Sequence, residues 1–97
     1  MIRFSVLYPK TEGATFDHDY YRDTHVPLCI EAWSPTSVEI DKGLDGPYVA
    51  AVHFQFPSIE AMMAALGVEA TEATEAVRAD VANYTTIEPV RQTSEVV

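Results

Sequence analysis

The chain has 97 residues, 47% of them hydrophobic, and a formal net charge of −9 from 6 basic and 15 acidic residues. This length is typical of one domain, and a domain this small buries only a modest core. The high apolar content therefore favours an oligomer in which a further surface is buried. Phosphate-rich partners bind through clusters of Lys and Arg, and the sequence has no such cluster, so we expect neither nucleic acid nor an anionic membrane as a partner.

The first residues of the chain lack the charged and then apolar regions of a signal peptide, and no apolar run approaches the roughly 20 residues that span a bilayer. Cys29 is the only cysteine, which excludes a disulfide within the chain and argues against a thiolate metal site. We therefore expect a cytoplasmic protein in which Cys29 packs as a small buried hydrophobe.

In the first half of the chain, the sequence predicts a strand, then a helix, then a second strand. Residues 2–8 alternate in the pattern of a strand with one buried face. A helix is predicted over residues 17–33, with Asp17 as its N-cap and with Pro27 bending or breaking it. A short strand is predicted over residues 37–42, followed by a glycine-rich turn.

The second half begins with the strongest strand signal of the chain, at residues 48–56. A helix then starts after Ser58, which is a suitable N-cap, and a second helical piece is predicted over residues 70–82. A last strand is predicted over residues 85–92, and Pro89 within it indicates an edge strand or a bulge. The order βαββαβ predicts a ferredoxin-like α+β domain with a four-stranded antiparallel sheet, spanning the whole chain.

Such a sheet carries both helices on one face and leaves the other face bare. The third predicted strand is apolar at Val52, Phe54 and Phe56, and its other side is half-apolar at Val49 and Ala51. A solvated face would normally carry charges. We therefore expect the second face to be covered by the same face of another subunit in a two-fold homodimer.

One stripe of the first predicted helix carries an imidazole and a phenol among apolar residues, namely Tyr21, His25, Leu28 and Ala32. A histidine on an inward face can act as an acid or a base near neutral pH. The alternative is a structural histidine that is hydrogen-bonded to the backbone and locks the kink before Pro27.

His53 is the second candidate, since it lies in the middle of the most buried strand. Side-chain alternation places His53 opposite Phe54, toward the dimer side, whereas His25 faces the helices. A bulge could re-aim the side chain, so the convergence of the two histidines stays open. If they converge, they suit proton transfer on a lactone, quinone or enol. Further candidates for contacts with a small-molecule substrate are Tyr20, Leu28, Tyr84, Ser5 and Gln55, although the tyrosines are equally suited to core packing.

No residue pattern predicts a metal or a cofactor. His18 and His25 are seven residues apart, which is too far for a chelating pair on one helix. Either His25 or His53 could act as an axial ligand of haem, but no spacing requires one. No glycine-rich phosphate loop indicates a nucleotide or a flavin.

Four strings resemble the small bacterial EthD family: RFSVLYP, FDHDYYRDTHVPL, IDKGLDGPYVAAVHFQF and ANYTTIEPVRQTSEV. The tyrosine pair followed by His-x-Pro-Leu is fairly specific. The resemblance implies a ferredoxin-like subunit that pairs into a dimeric α+β barrel. That superfamily includes muconolactone isomerases, polyketide cyclases, cofactor-free quinone-forming monooxygenases and haem-processing enzymes. His25 lies at the histidine of the family's motif, and some muconolactone-isomerase relatives use a helix histidine with a central-strand histidine.

Two functions are consistent with these observations. The first is a cofactor-independent enzyme, of oxidoreductase or isomerase/cyclase type, acting on a small cyclic or aromatic metabolite. In it His25 would be the general acid or base, Tyr21 its orienter or a second donor, and His53 the second proton-transfer group. The second is a non-catalytic accessory protein that binds a metabolite or a partner oxygenase in a degradation pathway, as the EthD resemblance also implies.

Overall fold

The computed structural model describes residues 1–67 and 71–97. The strands are β1 (Ile2–Pro9), β2 (Ser37–Lys42), β3 (Tyr48–Phe56) and β4 (Val90–Glu95). The helices are α1 (His18–Tyr20), a π-helical segment (Tyr21–His25), α2 (Val26–Trp33), α3 (Ile59–Leu66), α4 (Thr71–Asp80) and a 3-10 turn (Val81–Asn83). Within the described ranges, no helix combines the length and apolar character needed to cross a membrane.

The four strands form one antiparallel sheet in the order β2-β3-β1-β4, which confirms the predicted ferredoxin-like fold. Phe4 pairs with Phe54 and Val6 with Val52, and directly opposed residues of neighbouring strands lie on one face of the sheet. This face packs against the helices, because Val26 of α2 and other helix residues belong to the same hydrophobic core. The other side of the sheet is called the open sheet face below.

The helix predicted over residues 17–33 is continuous and not broken at Pro27. The Val26 N–H donates to the Tyr21 carbonyl five residues earlier, which widens the helix to a π turn just before the proline. A proline ring clashes with the carbonyl four residues before it in a regular α-helix, and the wider turn relieves that crowding. Pro27 therefore falls in the first turn of α2, where its missing N–H costs least.

The π turn also changes which residues face inward. An extra residue in the turn moves the later inward positions one place along the chain. Cys29 and Trp33, with Tyr21 and His25, line the space under the helix, so the predicted positions of Leu28 and Ala32 on this stripe are wrong by one residue.

The last strand begins at Val90 and ends at Glu95, and not over the predicted residues 85–92. Pro89 has no N–H to donate and lies just before the strand, while β4 occupies the edge of the sheet beside β1. Thr85 instead forms an isolated bridge with Phe16. The second helical piece runs from Thr71 to Asp80, and its predicted first position, residue 70, lies outside the described residues.

Candidate functional site

A cavity of about 540 Å³ lies between the helices and the sheet; we call it the helix-side cavity. Its aromatic wall includes Phe4, Tyr8, Trp33 and Phe54, and its remaining wall is largely aliphatic. A mostly apolar concave space of this size with a few polar groups is typical of small-molecule sites.

His25 is the only histidine in the described part of this wall, and only 3% of its surface is exposed. Its Nδ1 lies 3.0 Å from Asp80 Oδ2, and its ring stacks on Tyr21 with centroids 5.5 Å apart. Burial lowers the pKa of His25 below its ordinary value, and this effect exceeds the opposing influence of the Asp80 carboxylate. The imidazole is therefore mainly neutral near pH 7.

Asp80 holds the imidazole through a small hydrogen-bond network. The Tyr20 hydroxyl donates to Asp80 Oδ1 at 2.6 Å, and Asn83 Nδ2 donates to the same oxygen at 3.0 Å. Burial works to raise the pKa of Asp80, but the hydrogen bonds from Tyr20, Asn83 and His25 together outweigh it and lower the pKa. The ionised carboxylate accepts from His25 Nδ1–H, so Nε2 carries the lone pair.

Two phenols, Tyr21 and Tyr84, pack on this histidine, and Tyr8 contacts both of them. The Tyr8 and Tyr84 hydroxyl oxygens are 2.7 Å apart, and the Tyr84 ring centroid lies 4.5 Å from that of His25. Tyr21 packs edge-on against Tyr84 with centroids 4.9 Å apart. Burial is the largest cause that raises the pKa of all three phenols, so they remain protonated and can donate hydrogen bonds.

His53 lies on the open sheet face and not in the helix-side cavity. It pairs with Ser5 across the sheet, while the neighbouring pair Phe4 and Phe54 faces the helices. Its Nδ1 is 2.7 Å from Ser5 Oγ, and its Nε2 is 3.0 Å from Asp41 Oδ2. The sheet therefore separates the two histidines within one subunit, as side-chain alternation indicated, and no bulge re-aims His53.

The other predicted contact residues are divided between these two sides. Tyr20 and Tyr84 belong to the network around His25 but stand behind the cavity wall, and Leu28 is half-buried beside it. Ser5 and Gln55 lie on the open sheet face, because each alternates with residues that face the helices.

The sequence reasoning missed Asp80, which orients His25, and also missed Trp33 as part of the wall. The one available signal for Asp80 was its position as the last residue of a helix, where the helix dipole disfavours a negative charge. In the described ranges, no three His, Cys, Asp or Glu side chains stand close enough together to hold a metal ion.

A four-stranded antiparallel sheet with helices on one face is a ferredoxin-like subunit, and this subunit matches the structures of dimeric α+β barrel proteins. The chain is 39% identical to an EthD-like protein from Ralstonia eutropha JMP134, whose crystal structure matches with a TM-score of 0.87 over 99% of this chain and 91% of that chain. The chain therefore belongs to the EthD-like protein family, and the predicted family is confirmed.

Two more distant crystal structures share the fold. An ethyl tert-butyl ether D (EthD) family protein from Bacillus halodurans C-125 matches with a TM-score of 0.71 at 14% identity, over 100% of this chain and 99% of that one. A protein from Arabidopsis thaliana matches with a TM-score of 0.69 at 10% identity, over 100% and 96% of the two chains. No protein-family model matches the chain, and no curated protein matches it.

Proposed function

We propose that this protein is a cofactor-independent enzyme that moves a proton next to the carbonyl group of a small cyclic or aromatic metabolite, as an isomerase or cyclase does. The observation that carries the proposal is a neutral, buried His25 in the cavity wall whose Nδ1 is fixed by an ionised carboxylate. A histidine held in this way has an unprotonated Nε2 that can act as a base, so no second group is needed to deprotonate it.

In the proposed step, His25 Nε2 takes a proton from the carbon between the carbonyl and a C=C bond of the substrate. The electron pair of the broken C–H bond moves into a new C=C bond, and the carbonyl oxygen becomes the oxygen of a conjugated dienolate. Asp80 stabilises the imidazolium, which returns the proton to the far carbon of the dienolate; the C=O bond re-forms and the C=C bond has moved next to it. Tyr21 keeps the imidazole plane in place through its stacked ring.

The enolate oxygen needs a hydrogen-bond donor, and the Tyr8–Tyr84 pair can supply it. When Tyr84 donates to Tyr8 over their 2.7 Å contact, the Tyr8 hydroxyl in the cavity wall keeps its own hydrogen for the ligand. Because both phenols have raised pKa values through burial, they donate without losing their protons.

We further propose that two copies pair through their open sheet faces, as is typical of this family. His53 would then lie at the dimer seam with Ser5 and Asp41, which gives it an interface role apart from the chemistry at His25. In this proposal His53 is not the second proton-transfer group at His25, which is the role it has if the two histidines converge.

The test is replacement of α-hydrogens by deuterium in D₂O, followed by ¹H NMR on a panel of cyclic ketones and butenolides. The His25→Asn variant keeps an amide donor near the Nδ1 position for Asp80 but removes Nε2. We expect exchange or isomerisation to fall by about 10²–10⁴-fold, the usual contribution of a general base.

His18→Asn is the matched control, because His18 packs on Phe16 outside the helix-side cavity and should leave the rate unchanged. Undiminished exchange in His25→Asn would refute the proposed base. Binding of panel compounds without exchange above the buffer rate would favour the accessory protein that binds a metabolite for a partner oxygenase.

A further inference from the structure

The charges of the helix-side cavity are opposite to those of the whole chain. The protein has 6 basic and 15 acidic residues, yet its described cavity wall contains Arg78 and Arg91 and neither an Asp nor a Glu. Asp80 lies behind His25 and outside this wall. A random sample of this chain's charged residues would give a wall dominated by carboxylates.

The backbone directs Arg91 toward the cavity. Arg91 pairs with Val6 across the sheet, and opposed residues of an antiparallel pair project on the same face. Val6 and Pro89, two residues before Arg91, also line the cavity. Burial raises the pKa of Tyr8, and the charge of Arg91 is among the influences that oppose this rise, so the guanidinium lies within electrostatic reach of the phenol.

Arg78 approaches the same cavity from the helix side. It extends from α4 and is largely solvent-exposed, with one long contact of 3.9 Å to Glu75. In the described parts of the chain, Arg91 forms no ion pair. Two arginines from opposite walls thus remain available at the solvent-exposed rim, with aromatic and aliphatic side chains behind them.

We propose that the ligand of this cavity is a ring compound bearing a carboxylate, which Arg91 and Arg78 bind at the rim while the ring fills the apolar interior. This inference shares one element with the proposed function, namely that the ligand lies in the cavity beside His25. Arginine suits the assignment because its planar fork matches a carboxylate with two parallel hydrogen bonds.

The test compares binding of 2-naphthoate with its uncharged isostere 2-naphthamide. Trp33 is the only tryptophan and lines the cavity, so its indole N–H gives a single NMR signal that reports occupancy. We expect naphthoate to bind more tightly than the amide. Arg91→Gln should weaken naphthoate about fivefold, as expected for a partly exposed ion pair, and leave the amide unchanged.

Arg22→Gln is the matched control, because it removes the same charge from a helix surface where Arg22 pairs with Asp23. Equal binding of the two probes, no binding of either, or an equal loss in Arg22→Gln would overturn the proposal. Tighter binding of 2-naphthylphosphonate than of naphthoate would overturn the choice of carboxylate. If binding depends on the arginine but no proton exchange occurs, the proposed enzyme is refuted and the carboxylate inference stands. If neutral substrates exchange rapidly and no binding depends on the arginine, the carboxylate inference is refuted and the proposed enzyme stands.

Discussion

Replacing Asp80 by Asn should separate the chemistry of the site from its stability. In the native protein the Asp80 carboxylate accepts hydrogen bonds from Tyr20, Asn83 and His25. In Asp80→Asn the amide oxygen can keep the bonds from Tyr20 and Asn83. The amide nitrogen occupies the position facing His25 Nδ1, and two donors cannot share a hydrogen bond. The imidazole must therefore move its proton to Nε2 and accept through Nδ1.

This tautomer change removes the base from the cavity while keeping every hydrogen bond in a neutral form. Charge-assisted hydrogen bonds are stronger than neutral ones, so unfolding should become easier by about 1–2 kcal/mol. For a domain of this size that corresponds to a fall in melting temperature of roughly 5–15 °C. Proton-transfer activity should fall by about 10²–10⁴-fold, because the lone pair no longer faces the ligand.

The assay combines thermal unfolding with long-range ¹H–¹⁵N NMR, which distinguishes a protonated Nδ1 from a protonated Nε2 in His25. Loss of the Asp80 charge should also lower the pKa of His25 further, since that charge opposes the effect of burial. An Asp80→Asn protein that keeps the Nδ1–H tautomer and full activity would refute the reasoning. A large loss of stability without a tautomer change would make Asp80 a structural residue only.

Three further predictions concern the core, the thiol and acid stability. Phe54→Ala should lower the free energy of unfolding by about 3–5 kcal/mol in urea titrations, because Phe54 is 1% exposed, whereas Leu44→Ala at a 92% exposed position should change it by less than about 0.5 kcal/mol. Burial raises the pKa of Cys29 to about 12, so Ellman's reagent at pH 8 should label the thiol only after unfolding; rapid native labelling would contradict this. The pKa of His25 is lower in the folded protein than its ordinary value of 6.5, so the stability linked to it is fully present above pH 6.5 and is lost as the pH falls through the folded-state pKa. The pKa of Asp80 is also lowered, from 3.8, so Asp80 adds a further loss of stability below pH 3.8. Unfolding free energy should thus decrease on acidification, and a smaller decrease between pH 7 and 5 is expected in His25→Asn.

The fold was predictable because strand alternation and turn residues act over short distances along the chain. The inward face of the first helix was predicted only in part, because a helical wheel assumes 3.6 residues per turn. Tyr21 and His25 are the first and last residues of the π-helical segment, and both face inward as predicted, whereas the next inward position is Cys29 and not Leu28. Pro27 predicted a bend or a break of the helix but could not distinguish either from a widened turn, since all of them relieve the same steric clash.

The hydrogen-bond network of the site was less accessible to sequence reasoning, since it depends on tertiary contacts. His25 and Asp80 are 55 residues apart, and only the packing of α4 beside the first helix brings them to 3.0 Å. The alternation of side chains in β3, by contrast, correctly assigned His53 to the face opposite His25. Period-two alternation is a local property of a strand, and it held here because no bulge interrupts β3 at that point. The proposed proton-transfer site therefore depends on one histidine with a carboxylate behind it, and the second histidine lies on the opposite side of the sheet.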